Sequence, residues 1–240
     1  MITDKYFSEI VTVLEKIKTT QRDKLKMAAE IVSDTMDKGG IIYMFGCGHS
    51  HLIALDCFYR AGGLANVSAI LDTDLMLHNG AAKSSKMEKM KGIAEPLFER
   101  YCIGDNDVLF IFSTSGKNAV PSEMAQVASK NGIKNIAIVS SDYFGDKTDM
   151  PKLHECSDMY IDNCVPYGDA VMEISGCEQK MGSVSTAASS FIIQSILLEA
   201  SELSSKKGTK IPVYMSGNIT GGSEFNKSLV KKYLPRIKHL

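Results

Sequence analysis

Apolar side chains recur at helical spacing through the first 38 residues. They form two sets, one before and one after residue 20, and each set repeats every three or four positions. A Gly39-Gly40 pair follows, and glycine commonly ends a helix. The segment is therefore predicted to form a helical arm or a helical pair. Its apolar positions are Phe7, Ile10, Val11, Leu14, Ile17, Leu25, Met27, Ala28, Ile31, Val32 and Met36.

Beyond Gly40 the pattern changes to short apolar runs that alternate with helical segments. The run at 41–46 is rich in β-forming residues and is flanked by glycines, which is typical of a strand buried in a parallel sheet. Such alternation predicts a doubly wound α/β sheet. Further strands are predicted at 66–71, 107–112, 134–140 and 158–162, and helices at 49–61, 86–101, 119–131 and about 183–204.

The chain is predicted to form one domain, because no linker or repeat divides it. Residues 1–38 would be an N-terminal helical arm, 40–205 the core, and 206–240 a C-terminal loop and helix that begins with a short apolar run at 212–216. The long helix at about 183–204 is predicted to turn one face towards the core. That inner face would contain Ala187, Phe191, Ile192, Ser195, Ile196 and Leu198.

Composition restricts the classes of function. The chain has 240 residues, is 44% hydrophobic and has a formal net charge of −1, with no concentration of Lys and Arg that would indicate a nucleic-acid binder. No apolar run approaches the ~20 residues of a membrane span. The six cysteines form no CxxC pair and no metal-ligand spacing with histidine, so we expect reduced thiols, no zinc and a cytoplasmic location.

A turn rich in glycine follows the first predicted strand. It is the GCGHS segment at 46–50, in which small residues let the backbone approach a ligand and the serine stands near the start of a helix. The turn can therefore cradle an anion, although strand-to-helix turns also favour Gly and Ser for structural reasons alone. His51 stands where a dinucleotide-binding GxGxxG motif requires Gly or Ala, so the turn is not that motif.

A second turn, STSGKN at 113–118, directly follows the strand at 107–112. Its three hydroxyls and one amide can hydrogen-bond to phosphate oxygens, and the N–H groups that open the next helix add positive potential. A helix cap alone needs only one hydroxyl. Lys117 can add positive charge or be a plain exposed lysine. The turn is the strongest indication of an anion site in the chain.

A third hydroxyl-rich turn, GSVST at 182–186, precedes the long helix. An N-cap explains one of its hydroxyls. In an open α/β sheet, ligands bind beyond the carboxyl ends of the strands. Three such turns in one α/β chain therefore predict that they surround one ligand.

These three turns resemble the phosphosugar-binding motifs of the sugar isomerase (SIS) domain family, over roughly residues 40–200. The resemblance implies a three-layer αβα sandwich with a five-stranded, Rossmann-like parallel sheet and added N-terminal helices. It also implies a homodimer or homotetramer with sites near the subunit contacts. The whole chain, including the stretch at 212–226, further resembles a bacterial SIS subgroup with a long N-terminal helical arm.

In that family an SxSGxT-type turn holds the sugar phosphate, which implies a phosphorylated sugar as ligand. Asn118 stands in place of the usual threonine, and its amide can still donate to phosphate. The polar loop from Asn218 to Asn226 is either a surface turn or a lid on the sugar pocket. The predicted substrate-binding residues are Gly48, His49, Ser50, Ser113, Thr114, Ser115, Asn118, Ser183, Ser185 and Thr186.

An aldose–ketose isomerase needs a carboxylate that removes a proton beside a carbonyl, and groups that open the sugar ring. Glu88 is the first candidate for the base and His78 for ring opening or proton delivery, because both follow the second strand. Glu88 stands between Lys86 and Lys89 and can equally be a solvated charge. Glu178, which precedes the third turn, is the alternative base.

The sequence thus predicts an isomerase acting on a phosphorylated sugar. A lyase or etherase is an alternative, because elimination begins with the same removal of a proton from carbon. A phosphosugar sensor without turnover is the alternative from another class. Neither a complete GxGxxG nor a GxxxxGK[ST] motif is present, so we expect no nucleotide cofactor. The charge pattern and the lack of a long apolar run predict no nucleic acid and no membrane as partners.

Overall fold

A five-stranded, all-parallel sheet lies at the centre of the protein in the computed structural model, which describes residues 1–240. The strand order is β2-β1-β3-β4-β5. The α/β sheet predicted from the sequence is confirmed. The strands are β1 (Ile42–Gly46), β2 (Val67–Ile70), β3 (Val108–Phe112), β4 (Lys134–Val139) and β5 (Met159–Asp162).

The strands read as unbroken apolar runs because helices cover both faces of the sheet. In β3, Val108, Phe110 and Phe112 face one helical layer, while Leu109 and Ile111 face the other. All five side chains are buried. Burial of these side chains is the main source of stability for the sheet.

Two helical layers sandwich the sheet. Helices α2, α3 and α8 cover one face, with α1 packed outside them, and α5, α6, α7 and α9 cover the other. None of the helices combines the length and apolar character needed to cross a membrane. The helices are α1 (Ile2–Thr20), α2 (Arg22–Asp37), α3 (His51–Cys57), α4 (Ala81–Met87), α5 (Ala94–Glu99), α6 (Ala119–Lys130), α7 (Leu153–Cys156), α8 (Ser185–Lys206) and α9 (Gly222–Tyr233).

Half of the predicted N-terminal arm is part of the core layer. In α2, Ala28, Ala29 and Val32 are fully buried, and the hydroxyls of Ser33 and Ser204 share a buried hydrogen bond of 2.8 Å between α2 and α8. These small residues let the two helices approach closely. Helix α2 is therefore a layer helix that packs side by side with α8.

Three local features differ from the sequence prediction. The helix predicted at 86–101 is two short helices, α4 and α5, separated by a loop in which Gly92 has φ +83°. A short antiparallel hairpin, β6 (Ala170–Met172) and β7 (Met181–Ser183), was not predicted. The apolar run at 212–216 joins no main-sheet strand and instead forms one antiparallel bridge, between Val213 and Leu64.

The inner face of α8 also differs in part from the prediction. Ile192 and Ile196 are fully buried as predicted, but Leu198 is 70% exposed. Helix α8 has apolar residues around most of its circumference, so its own sequence pattern does not decide which face is buried. The contacts with α2 and the sheet determine which face of α8 is buried.

Truncation of Ile192 and of Leu198 to alanine should therefore have very different effects on the free energy of unfolding. Ile192→Ala leaves a cavity in the core and should lower the free energy of unfolding by about 2–5 kcal/mol. Leu198→Ala removes an exposed side chain from the same helix and should change the free energy of unfolding by less than about 0.5 kcal/mol. Denaturant titration measures both values. Equal losses would mean that α8 presents a different face to the core.

Candidate functional site

The three hydroxyl-rich turns meet at the carboxyl ends of β1 and β3. These strands are neighbours, and Gly46 pairs with Phe112, so the two turns that follow leave the sheet side by side. They border a cavity of about 240 Å³, called the sheet-end cavity below. Its lining residues are Cys47, His49, Ser50, Glu88, Ser113, Thr114, Ser115, Asn118, Tyr143, Asp169 and Ser185.

The first turn folds back tightly on itself. A Cβ atom on Gly46 would lie 2.6 Å from the carbonyl group of Ser50, and Gly48 has φ +56°. Both positions therefore require glycine, which explains the GCG pattern. The Ser50 hydroxyl lines the sheet-end cavity and forms no hydrogen bond within the protein.

The second turn is held by internal hydrogen bonds. The Ser113 hydroxyl accepts a hydrogen bond of 3.2 Å from the N–H of Gly116, and the Gly116 carbonyl accepts one of 2.9 Å from Leu153. The Thr114 hydroxyl accepts a weak hydrogen bond of 3.4 Å from the Asn163 amide. Ser115 also lines the cavity, and its hydroxyl has no partner within the protein, so it is free for a ligand.

The third turn is capped from within the chain. The Asp169 carboxylate accepts hydrogen bonds from the N–H groups of Val184 and Ser185, at 2.9 and 2.8 Å, and from the Ser185 hydroxyl at 2.7 Å. Thr186 lines a smaller void of about 20 Å³ that shares Ser50 and Ser185 with the cavity. Ser185 therefore reaches the predicted site, but its hydroxyl already has a partner.

Ser183 lies outside the site. Its side chain is exposed and lines neither the sheet-end cavity nor the smaller void. Its carbonyl accepts a hydrogen bond of 2.6 Å from the Tyr6 hydroxyl. Its position in β7 links the hairpin to α1.

Glu88, the first candidate for the base, lines the sheet-end cavity. It is partly buried, and burial raises the pKa of its carboxyl above the ordinary value, although the nearby Asn118 amide and Lys89 oppose part of this effect. The Glu88 carbonyl accepts a hydrogen bond of 3.1 Å from Val120, which ties the end of α4 to the start of α6. Glu88 is thus held beside the second turn.

Three histidines lie near the ends of β1 and β2, and one of them lines the cavity. His49 is exposed and lines the cavity. His51 is only 1% exposed; its Nδ1 bonds to the Gly48 carbonyl, and its Nε2 has no partner. Burial lowers the pKa of His51. His78, the predicted proton-delivery residue, lies with its ring centroid 5.2 Å from that of His51 and does not line the cavity.

Glu178 lies in the exposed loop between β6 and β7. It borders a separate cavity of about 410 Å³, formed by residues of the hairpin alone. None of the hydroxyl-rich turns contributes to that cavity. Within this chain, the alternative base is not brought together with the predicted phosphate-binding residues.

Three residues of the sheet-end cavity were missed by sequence analysis. Tyr143 follows β4, and its hydroxyl accepts a hydrogen bond of 2.8 Å from Gly168; the rule that ligands bind beyond strand ends is the signal that points to it. Asp169 gives no local sequence signal, because its place at α8 depends on the hairpin. Cys47 lies within the GCGHS turn, and burial raises the pKa of its thiol well above the usual value.

The cavity wall contains no Lys or Arg side chain. Lys117 of the second turn instead pairs with Asp146 at 2.6 Å. No three His, Cys, Asp or Glu side chains gather in an arrangement that could hold a metal ion. Any anion in this cavity would therefore be bound by hydroxyls, amides and backbone N–H groups.

The chain belongs to the SIS domain family. A sequence model of the SIS domain matches residues 5–140. A UPF0309 protein of Caldanaerobacter subterraneus subsp. tengcongensis is 39% identical over 244 aligned residues, which cover 99% of each chain. The membership inferred from the three turns is thus confirmed.

Solved structures with the same fold have far lower sequence identity. The phosphoheptose isomerase of Neisseria gonorrhoeae has a TM-score of 0.54 and 16% identity, over 85% of this chain and 97% of that one. The NanR protein of Vibrio vulnificus, complexed with ManNAc-6P, has a TM-score of 0.53 and 13% identity, over 100% of this chain and 71% of that one. These likenesses confirm the fold.

The raised pKa of Glu88 predicts a pH-dependent effect of Glu88→Gln on stability. Because the folded protein binds this proton more tightly than the unfolded chain does, ionised Glu88 destabilises the fold as pH rises through the folded-state pKa. The Tm of Glu88→Gln minus that of the wild type should therefore increase between pH 4 and pH 8. Differential scanning fluorimetry at each pH measures this difference in Tm. A difference that is constant, or that falls with pH, would contradict the raised pKa.

Proposed function

We propose that the protein binds a phosphorylated sugar in the sheet-end cavity and catalyses its aldose–ketose isomerisation. The observation that supports this most directly is the composition of the cavity wall. Free hydroxyls suited to a phosphate line the same cavity as Glu88, a carboxyl whose pKa is raised by burial. A turn that only connects a strand to a helix requires neither free hydroxyls nor a partly buried carboxyl.

The phosphate would bind to the free donors of the first two turns. The Ser50 and Ser115 hydroxyls are available, and the Asn118 amide has two N–H donors, one for Glu88 and one for the phosphate. Asn118 is also the N-cap of α6 without a side-chain capping bond. The N-terminus of this 12-residue helix adds a positive potential, although the N–H of Val120 already donates to the Glu88 carbonyl and Pro121 has no N–H. Charge-assisted hydrogen bonds of this kind are about twice as strong as neutral ones.

Glu88 would act as the base that moves the proton between adjacent carbon atoms. A general base works best when its pKa lies near the working pH, and burial shifts the pKa of Glu88 in that direction. The Asn118 amide would position the carboxylate, since it lies beside Glu88 in the same wall. One carboxylate can remove the proton from one carbon and return it to the next.

Ring opening would be assisted by His49. Of the histidines near the strand ends, His49 is the one whose side chain lines the cavity. His78 lies with its ring centroid 5.2 Å from that of the buried His51, and neither ring lines the cavity, so His49 takes the place of His78 in the proposed delivery of a proton. Tyr143 would donate a hydrogen bond that steadies the enediolate oxygen.

The names of the structural neighbours support a phosphorylated sugar as the ligand. One neighbour is a phosphoheptose isomerase, and the other was solved with ManNAc-6P, the phosphate of an N-acetylated sugar. The NanR protein is the reason to retain, as an alternative function, a phosphosugar sensor that does not convert its ligand. A lyase or etherase would share the proton-removal step and differ only in the loss of a leaving group afterwards.

Ser115→Ala tests the binding step. A hydrogen bond to a charged group contributes about 1.5–3 kcal/mol, so the Kd for the sugar phosphate that binds best in a panel of hexose, heptose and amino-sugar phosphates should rise about tenfold to a hundredfold. The Tm of the free protein should not change, because the hydroxyl has no internal partner. Ser205→Ala, at the far end of α8, is the control. An unaltered Kd in Ser115→Ala would remove the second turn from the site.

Glu88→Gln tests catalysis separately from binding. In deuterated water the wild type should incorporate deuterium at the second carbon of the sugar, and Glu88→Gln should slow this incorporation by about 10²- to 10⁴-fold while still binding the sugar. Glu178→Gln, at an exposed position outside the cavity, should exchange at the wild-type rate. If Glu178→Gln loses exchange instead, the base assignment is wrong. Binding by the wild type without any deuterium uptake would favour the sensor.

A further inference from the structure

A second cavity, larger than the sheet-end cavity, lies away from it. It has a volume of about 550 Å³ and lies between the loop after α3 and the C-terminal segment. The two cavities share no lining residue. It is called the C-terminal cavity below, and its wall consists of Tyr59, Arg60, Ala61, Tyr214, Met215, Gly217, Ser223, Asn226, Lys227, Val230, Lys231 and Leu234.

Hydrogen bonds hold its walls in place without a ligand. Tyr214 donates from its N–H to the Gly63 carbonyl at 3.0 Å, and its own carbonyl accepts from Gly62 at 2.9 Å. The Asn226 side chain accepts from the N–H of Met215 at 2.9 Å and donates to the Met215 carbonyl at 2.8 Å. The polar loop at 218–226 is therefore anchored beside this cavity and does not line the sheet-end cavity. Preformed walls lower the entropic cost of binding.

Every charged residue on this wall is positive. Arg60 pairs with Asp56, and Lys227 pairs with Glu224 at 2.5 Å. Lys231 has no carboxylate within 4.0 Å. Exposed ion pairs are weak, so Arg60 and Lys227 can exchange their partners for a bound anion. In a chain of net charge −1, this concentration of cations favours an anionic ligand.

Helix α9 gives the cavity two different stripes. Ser223, Lys227 and Lys231 follow one another at intervals of four and form a polar, cationic stripe. Asn226, Val230 and Leu234 form the adjacent stripe, which becomes apolar towards its C-terminal end. A ligand that fills the cavity must therefore combine an anionic group with an apolar body.

Tyr59 indicates that the apolar body is a flat ring. Its backbone has φ +47°, a left-handed conformation that is rare for a non-glycine residue, and its side chain is 58% exposed. Its ring lies 5.1 Å from that of Tyr214, at 71° between the ring planes, and the exposed part of the ring can contact a ligand. Strained residues of this type cluster at ligand sites.

We propose that the C-terminal cavity binds a small aromatic anion, a planar ring joined to a phosphate, of the size of a nucleoside monophosphate. The ring would stack on Tyr59, and the phosphate would lie against Lys227, Lys231 and Arg60. A cavity of this volume is in the range of small-molecule sites. The proposal does not depend on the function of the sheet-end cavity.

The test is calorimetric titration of the full chain with adenosine 5′-monophosphate and with phenyl phosphate, both of which contain a ring and a phosphate. Adenosine, which lacks the phosphate, should bind at least about tenfold more weakly. Ribose 5-phosphate lacks the planar aromatic ring, and any binding of it in the sheet-end cavity should be the same in the variants described next.

Two variants and one matched control locate the binding. Lys231→Gln should raise the Kd for adenosine 5′-monophosphate about fivefold or more. Tyr59→Asn removes the ring but tolerates left-handed backbone, so it should raise the Kd about fivefold to a hundredfold without lowering Tm. Lys232→Gln removes the same charge one residue further along α9, where the side chain borders a different cavity, and should leave the Kd unchanged.

Two kinds of result would overturn the proposal, one in the binding titrations and one in the molecular mass. The first is absence of binding at millimolar concentration, or a Kd that is equal in Lys231→Gln, Tyr59→Asn and Lys232→Gln. The second is a change of molecular mass in Lys231→Gln or Tyr59→Asn, measured by light scattering, which would make this wall an interface between copies of the chain. Loss of sugar-phosphate binding in Ser115→Ala would not affect either result.

Discussion

The candidate site depends on the burial of both faces of the parallel sheet. Because helices cover these faces, the strand ends are the places where backbone N–H groups and short polar side chains can meet a ligand. The pairing of Gly46 with Phe112 then sets two polar turns side by side. A Cβ atom at Gly46 would collide with the backbone of Ser50, so the convergence of the turns depends on the absence of one side chain.

The absence of cationic side chains from the sheet-end cavity has an electrostatic consequence. A lysine in the cavity wall beside Glu88 would favour the ionised form of the carboxyl and lower its pKa further than the exposed Lys89 does. Lys117 belongs to the second hydroxyl-rich turn by sequence, yet it pairs with Asp146 at 2.6 Å and does not line the cavity. A wall of hydroxyl and amide donors without Lys or Arg, in which the Asp169 carboxylate is already hydrogen-bonded to the start of α8, is compatible with both an anion and a carboxyl of raised pKa. This compatibility is what an isomerase that uses a carboxylate base beside a phosphate would require.

The sequence predicts those features that depend on local pattern. The apolar runs located the strands to within a residue or two, and the hydroxyl-rich turns located most of the cavity wall. Features that depend on contacts between distant residues were not predictable. Asp169 reaches Ser185 only because a hairpin folds back against α8, and Glu178 is separated from the cavity by the same hairpin although it precedes the third turn. Leu198 is exposed because α2 selects another face of α8.

Two of the three strained non-glycine residues lie in the walls of the two cavities, and the third, Cys164, lies in neither. Tyr59, Cys164 and Asp169 are the non-glycine residues with positive φ. Such a conformation costs about 1–2 kcal/mol relative to glycine. Tyr59 lines the C-terminal cavity and Asp169 the sheet-end cavity. Stability alone would favour glycine at both positions. Glycine can provide neither the ring of Tyr59, which can stack on a ligand, nor the carboxylate of Asp169, which caps α8. These side chains explain why the two strained residues are present.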